Sequence, residues 1–226
     1  AEKEIPLSER PEIDRWIVSL LNSLVKEVAE HYEHYEPTRA GRAIQDFVND
    51  NLSNWYVRLN RKRFWGGEYD SDKIAAYQTL YTCLLTVAKL MAPIAPFYAE
   101  RLWLDLNGSP KKGESVHLQD FPKADEGLID RNLEACMQYA QQISSMILAL
   151  RRKADKKVRQ PLLKAVVPTN DAETFEQIKY VAELIKTEVN IKNLEVLSPD
   201  TEMDNIVKKI KPNFKTLGKR YGKLMK

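Results

Sequence analysis

The chain has 226 residues, of which 43% are hydrophobic, and its basic and acidic residues nearly cancel to a formal net charge of +3. This composition is sufficient for a sizeable core in one domain, or in a main domain with a smaller appendage, and it excludes a disordered protein. Acidic residues gather near the N-terminus and again at 120–130, whereas 205–226 carries only basic charges. This asymmetry indicates a surface that faces a polyanion.

Cysteine usage and hydropathy are typical of a cytoplasmic protein. Cys83 and Cys136 lie in apolar helical patterns without C-x-x-C spacing, so we expect buried free thiols rather than disulfides or a zinc site. No apolar run approaches the roughly 20 residues that cross a bilayer, and the N-terminus lacks the apolar core of a signal peptide. We therefore expect a soluble cytoplasmic protein without a membrane partner.

Four long helices are predicted from apolar residues that recur at spacings of three and four. Pro93 and Pro96 should interrupt the third helix, which then restarts. The predicted fold is mainly α, with an antiparallel four-helix bundle. The predicted helical segments are 11–35, 38–65, 71–106 and 130–150.

A different pattern follows the basic run that begins at Arg151. Two short β-type runs, 162–168 and 190–198, flank a helical pattern with Asp171 near its start. This order predicts a small α/β unit after the bundle, and we expect the chain to be a fragment of a longer polypeptide. The predicted divisions are a bundle at 1–156 with a loop at 107–129, an α/β unit at 157–200, and the truncated start of a basic C-terminal segment at 201–226.

The sequence offers little for catalysis. G-x-S-x-G, P-loop and G-x-G-x-x-G motifs are absent, and His31 and His34 match no metal-binding spacing. Two histidines three apart on a helix are more often solvated surface, because a zinc site needs at least a third ligand. We therefore predict neither a catalytic nor a metal site in this chain.

The segment "LSNWYVRLNRKRFW", residues 52–65, combines aromatic and cationic side chains and contains no acid. At about 100° per residue, Trp55 falls with Leu52 and Leu59 on the apolar stripe, so packing is its expected role, and Tyr56 is similar. A second row lies along the edge of that stripe, at spacings of four, three and four. This row consists of Asn54, Arg58, Arg61 and Trp65.

Guanidinium groups pair with phosphate and stack on bases, and an indole offers a face for base stacking. The edge row therefore suits a single-stranded RNA loop. The alternative is that these arginines favour the helix macrodipole and reach glutamates on a neighbouring helix. Two further basic runs, 151–160 and 208–223, favour a polyanionic partner.

Several blocks, in the same order, resemble the part of isoleucyl-tRNA synthetases that follows the catalytic core. The first four are similar to the anticodon-binding helical bundle of class I synthetases for branched aliphatic amino acids and methionine. The N-W-Y-V-R and R-F-W pairing favours the isoleucine family. The blocks are "DRWIVSLLNSLVKEV", "AIQDFVNDNLSNWYVRLNRKRFW", "MAPIAPFYAERLW", "KVRQPL" and "KPNFKTLGKRYGK".

This resemblance implies that the whole enzyme charges tRNA(Ile) with isoleucine, using ATP and Mg²⁺ in a core upstream, with editing there as well. H-I-G-H and K-M-S-K-S are absent here, so we expect no cofactor and no activity in the chain itself, a tRNA partner and a monomer. The residues implied at the RNA are Asn54, Arg58, Arg61, Lys62, Arg63 and Trp65. Those implied at backbone phosphate are Arg151, Arg152, Lys157 and Arg159.

Two alternatives stay open at this point. One is the same domain from a valyl, leucyl or methionyl synthetase, since no residue of the fragment touches the amino acid. The other is a helical module that docks another protein, with its basic runs solvated. Reversal of the charges of Arg58 and Arg61 discriminates RNA binding from the module hypothesis.

Overall fold

The computed structural model describes residues 4–66, 68–108 and 115–199. Within these residues the chain is mainly helical and carries one small parallel sheet, which confirms the predicted class at this level. The predicted C-terminal segment 201–226 lies outside the described residues. The elements are α1 Glu12–Glu33, α2 Pro37–Asp46, a π-helical segment Phe47–Val57, α3 Arg61–Trp65, α4 Ser71–Met91, α5 Pro96–Asn107, α6 Arg131–Lys153, β1 Leu162–Pro168, α7 Ala172–Tyr180, α8 Ala182–Val189 and β2 Ile191–Leu197.

Local sequence explains where most helices begin. Asp70, Asp130 and Asp171 cap α4, α6 and α7, each accepting a hydrogen bond of 2.7–2.9 Å from the backbone N–H three residues on. Pro37 and Pro96 occupy the first turns of α2 and α5, where a missing N–H costs nothing. The predicted interruption of the third helix before Pro96 is confirmed.

The predicted single α-helix over 38–65 is wrong. It divides into α2, the π-helical segment Phe47–Val57, called the π segment below, and α3. In a π-helix the backbone hydrogen bond spans five residues instead of four, and such segments are usually a single turn. The π segment ends before Asn60, whose backbone (φ −91°, ψ 11°) leaves the helix and whose side chain donates to the Tyr56 carbonyl oxygen at 2.8 Å.

One continuous hydrophobic core holds the described chain together. Helix α1 packs against α2, α4, α6 and the π segment, and it buries Trp16 and Ile17. The same cluster of buried side chains extends through Met137 on α6 to Ile185 on α8. The α/β unit therefore shares its core with the helices that precede it.

The α/β unit is built as predicted, with one difference. Strands β1 and β2 pair in parallel, with Leu162 opposite Ile191. The connecting helix, predicted as one piece, breaks at Val181 (φ −98°, ψ 11°) into α7 and α8. Both pieces pack on α6.

A buried ion pair joins the start of α1 to α3. The Arg63 guanidinium donates to both carboxylate oxygens of Asp14, at 2.7 and 2.9 Å, and Asp14 has no exposed surface. The Tyr56 hydroxyl also donates to Asp14, at 2.8 Å, and Arg63 reaches Asp72 on α4 at 2.8 Å. Burial, followed by the Asp14 charge, raises the pKa of Tyr56 well above its usual value. Three helical segments are thus tied to one carboxylate.

Cys83 should make stability fall at alkaline pH. Burial and the nearby Asp14 carboxylate raise the pKa of the Cys83 thiol to about 12. The folded chain therefore keeps a proton that the unfolded chain releases near pH ~9, so the contribution to stability is complete below that pH and is lost as pH rises toward the folded value. From pH ~8.5 to ~10, we expect wild type to lose about 1 kcal/mol more than Cys83→Ala, measured by urea unfolding.

Equal pH dependence of wild type and Cys83→Ala would contradict this assignment. Both cysteines lie in the described chain as buried free thiols, which confirms the prediction from sequence. Cys136→Ala leaves Cys83 in place, so this variant should keep the part of the pH dependence that Cys83 contributes.

Helix α4 corrects one expectation from hydropathy. Ser71–Met91 is the one helix among the described residues that is long and apolar enough, by length and composition, to cross a membrane. It packs against α1, α2, α3 and α5, as the core helix of a folded domain does. Its apolar character therefore has a structural explanation within the fold.

Candidate nucleic-acid interface

A cleft of about 830 Å³ opens between the π segment and α6, and α8 contributes one further side chain. Its charged lining residues are two acids and two arginines, so the formal charges of the cleft cancel. We call it the central cleft. Its polar lining includes Asp50, Asn54, Arg58, Gln142, Arg152 and Glu188.

Residues four apart along one side of the helix line this cleft. Asp50 and Asn54 lie in the π segment, and Arg58 follows directly after it. Residues four apart fall close to one full turn, so their side chains lie on the same face. The three polar side chains therefore reach the cleft from one face.

Arg58 is held at the edge of the central cleft by three contacts. Its Nη1 lies 2.6 Å from Glu188 Oε1, and its Nε donates to the Asn54 carbonyl oxygen at 2.8 Å. The guanidinium carbon lies 5.7 Å from the centre of the Trp55 ring, which places the cation over the indole. The Arg58 side chain is 43% exposed and that of Glu188 is 8% exposed. Arg58 is therefore oriented while part of its guanidinium still faces solvent.

The predicted edge row does not continue past Asn60. Arg61, Lys62 and Trp65 lie on α3, beyond the break, and they do not line the central cleft. All three are exposed. The Arg61 guanidinium carbon lies 5.9 Å from the centre of the Trp65 ring, and Trp65 is 72% exposed. The structure thus brings Asn54 and Arg58 together and sets this cation–aromatic pair apart from them.

Two of the predicted RNA contacts lie inside the fold. The Arg63 guanidinium is committed to Asp14 and Asp72, as described above. Arg151 is buried and donates to the carbonyl oxygens of Lys157, Gln160 and Asn190, at 2.7–3.1 Å. Arg63 and Arg151 therefore hold elements in place from the interior.

The other three predicted phosphate contacts, Arg152, Lys157 and Arg159, are exposed. Arg152 lines both the central cleft and a neighbouring cleft of about 350 Å³, which we call the basic cleft. Lys157 also lines the basic cleft, together with Lys156. Arg159 lies two residues on in an exposed stretch whose backbone is held by Asn190, which donates to its carbonyl oxygen at 3.3 Å. A cleft whose formal charges cancel thus adjoins a cationic one.

The sequence did not lead us to predict that polar side chains of α6 line the central cleft. Gln142, Ser144 and Ser145 line the central cleft from a helix interpreted only as packing. A polar run, "QQISS" at 141–145, interrupts the amphipathic pattern there and could have indicated it. Glu188 gave no local signal, because its partner Arg58 is distant in the chain.

Comparison with known proteins agrees with this geometry. Residues 14–167 match the family described as the anticodon-binding domain of tRNA ligase. That match runs from the first turn of α1 to the last residue but one of β1, so it includes the π segment, α6 and the basic cleft. It therefore contains both clefts except for Glu188.

The similar curated proteins are isoleucine–tRNA ligases. The enzyme of Bacteroides thetaiotaomicron is 58% identical over 227 residues, covering all of this chain and 19% of that protein. The enzyme of Porphyromonas gingivalis is 60% identical over 225 residues, with the same coverage, and that of Thermus thermophilus is 43% identical over 222 residues. The chain spans about a fifth of the length of these relatives. The chain therefore belongs to the family of anticodon-binding domains of tRNA ligases.

Proposed function

We propose that this chain is the anticodon-recognising part of an isoleucine–tRNA ligase and that it binds the anticodon stem and loop of tRNA(Ile). The observation that carries the proposal is the meeting of Asn54, Arg58 and Arg152 at one cleft. Because the similar proteins are isoleucine–tRNA ligases, the valine, leucine and methionine alternatives are not favoured.

In this proposal, the central cleft binds bases and the basic cleft binds the phosphate backbone. The central cleft has two acids and two arginines in its lining, which suits bases more than a run of phosphates. The basic cleft and Arg159 offer cations to the backbone, and such contacts fix the position of RNA without reading its sequence. Asn54 and Arg58 are then the candidate base contacts, with Arg152, Lys157 and Arg159 on phosphate.

The remaining predicted residues fall into two groups, one exposed on α3 and one inside the fold. Arg61, Lys62 and Trp65 form an exposed cationic and aromatic surface on α3 that a longer RNA segment could reach. Arg63 and Arg151 contribute through the fold, because their guanidinium groups are committed to Asp14 and to backbone carbonyls.

The proposal extends to architecture and to the whole enzyme. We infer that the helices form an antiparallel four-helix bundle, which is supported by the packing of α1 on α2, α4 and α6. ATP and Mg²⁺ would act in the rest of a longer enzyme, together with isoleucylation. A monomeric, cytoplasmic protein fits the translation enzymes that the chain resembles.

A titration of the chain with tRNA(Ile) over a salt series tests the proposed function. Three cations on phosphate, Arg152, Lys157 and Arg159, predict a log–log slope of about −2, since each contact contributes about −0.7 for single strands. Affinity should therefore fall roughly 20-fold between about 50 and about 200 mM salt. A non-cognate tRNA and polyglutamate are the controls. Equal affinity for polyglutamate, or affinity independent of salt, would favour the helical-module hypothesis.

A further inference from the structure

Three buried polar atoms among the described residues have no hydrogen-bond partner: Trp55 Nε1, Ser144 Oγ and Arg151 Nε. Trp55 and Ser144 belong to the lining of the central cleft, and Arg151 belongs to that of the basic cleft. Trp55 is 6% exposed and Ser144 is 1% exposed. Buried donors and acceptors are nearly always paired in folded proteins, so each exception needs an explanation.

Other buried polar side chains are paired. Tyr56, next to Trp55, donates its hydroxyl to Asp14 at 2.8 Å, and the equally buried Ser19 donates to Glu134 at 2.6 Å. The three unpaired atoms all belong to residues that line one of the two clefts, and two of the three belong to the central cleft. The unpaired atoms Trp55 Nε1 and Ser144 Oγ therefore coincide with the proposed RNA site.

The chemistry of these atoms defines their complement. An indole N–H can only donate, so it requires an acceptor, whereas a serine hydroxyl can donate or accept. The Arg58 guanidinium already lies over the Trp55 ring, 5.7 Å from its centre, so that face of the ring is covered. Recognition at Trp55 is therefore by the edge of the indole and not by stacking on the Arg58 side.

We propose that one unstacked nucleobase of the RNA loop enters the central cleft and presents an acceptor atom to Trp55 Nε1, and a second polar atom to Ser144 Oγ. This inference rests on the proposed function. A carbonyl oxygen or an unprotonated ring nitrogen is the complementary group, and single-stranded loops present such edges. Trp55 and Ser144 thus become base-reading residues, a role that the helical wheel assigned to neither.

Ser144→Ala and Trp55→Phe test the inference, and Tyr98→Phe is the control, because it removes the polar atom of an exposed aromatic side chain on α5, outside both clefts. Ser144→Ala should lower affinity for a synthetic anticodon stem-loop about 5-fold, while leaving stability in urea unchanged or higher, since an unpaired buried hydroxyl is removed. Trp55→Phe should have a similar effect on affinity, and Tyr98→Phe should leave affinity unchanged. A fall in the stability of Ser144→Ala with no change in affinity would indicate a purely internal role and overturn the inference.

Abasic substitutions in the RNA identify the base. Each stem-loop carries one abasic nucleotide, at a different position of the loop, and is titrated with wild type and with Ser144→Ala. We expect the losses of binding free energy caused by the abasic nucleotide and by Ser144→Ala to be non-additive at one loop position and additive at the others. Additive losses at every loop position would overturn the inference that a base enters the central cleft, but they would not contradict RNA binding. If wild type fails to bind the stem-loop, both the proposed function and this inference fall.

Discussion

Replacement of Asp14 by alanine should lower the free energy of unfolding by about 3–5 kcal/mol, because it leaves the Arg63 guanidinium without its buried partner. Asp14 is fully buried and accepts hydrogen bonds from Arg63 and Tyr56. Its loss therefore removes two charge-assisted hydrogen bonds from a guanidinium that is only 15% exposed, and it leaves the buried Tyr56 hydroxyl with only the longer contact of 3.4 Å to the Ala76 carbonyl oxygen. Urea unfolding, monitored by circular dichroism, measures the change in the free energy of unfolding.

The matched control for Asp14→Ala is Asp72→Ala. Asp72 pairs with the same guanidinium at 2.8 Å, but its side chain is 48% exposed. Solvent screens such a pair, so we expect a cost of about 0–1 kcal/mol. Similar costs for the two variants would contradict the central position that the structure gives to Asp14.

The paired change Arg58→Gln and Glu188→Gln should lower affinity for tRNA(Ile) about 10- to 100-fold, although net charge is unaltered. A hydrogen bond to a charged group contributes about 1.5–3 kcal/mol, and Arg58 is oriented into the central cleft. Changing Arg58 alone would leave Glu188 as a nearly buried, unpaired carboxylate. The double change avoids this defect, so the loss reports on RNA contact. Filter binding at fixed salt measures it.

An ion pair elsewhere provides the control for the Arg58 experiment. Arg101 and Asp105 pair at 2.9 Å on α5, which packs against α4 and the turn at Val116–Leu118. Arg101→Gln with Asp105→Asn also preserves net charge, and we expect affinity to change less than 2-fold. Equal losses in the two double variants would mean that tRNA responds to diffuse charge rather than to the cleft.

Periodicity predicted the helices well where one face is buried. α1, α4, α5 and α6 begin and end within a few residues of the predicted positions, because apolar spacing and capping residues are local properties. The π segment and the breaks at Asn60 and Val181 were missed. Neither break carries proline or glycine, and a five-residue hydrogen bond has no signature in a pattern analysed at 3.6 residues per turn.

The candidate site was predicted in part, and the misses have a common cause. Asn54, Arg58 and Arg152 meet at the central cleft, as a surface role requires. Arg63 and Arg151 were interpreted as surface cations because their partners, Asp14 and the Asn190 carbonyl, are distant in sequence. A charge run alone does not reveal whether each side chain has a partner inside the fold.

The shared core has a consequence for how the domain can be engineered. Helix α8 supplies both Ile185, which is buried in the core common to the helical part, and Glu188, which holds Arg58 at the cleft. Transplanting the π segment and α6 onto another scaffold would therefore lose the carboxylate that orients the key arginine. The helix that completes the shared core also completes the central cleft, so the smallest transferable form of this cleft extends at least to the end of α8.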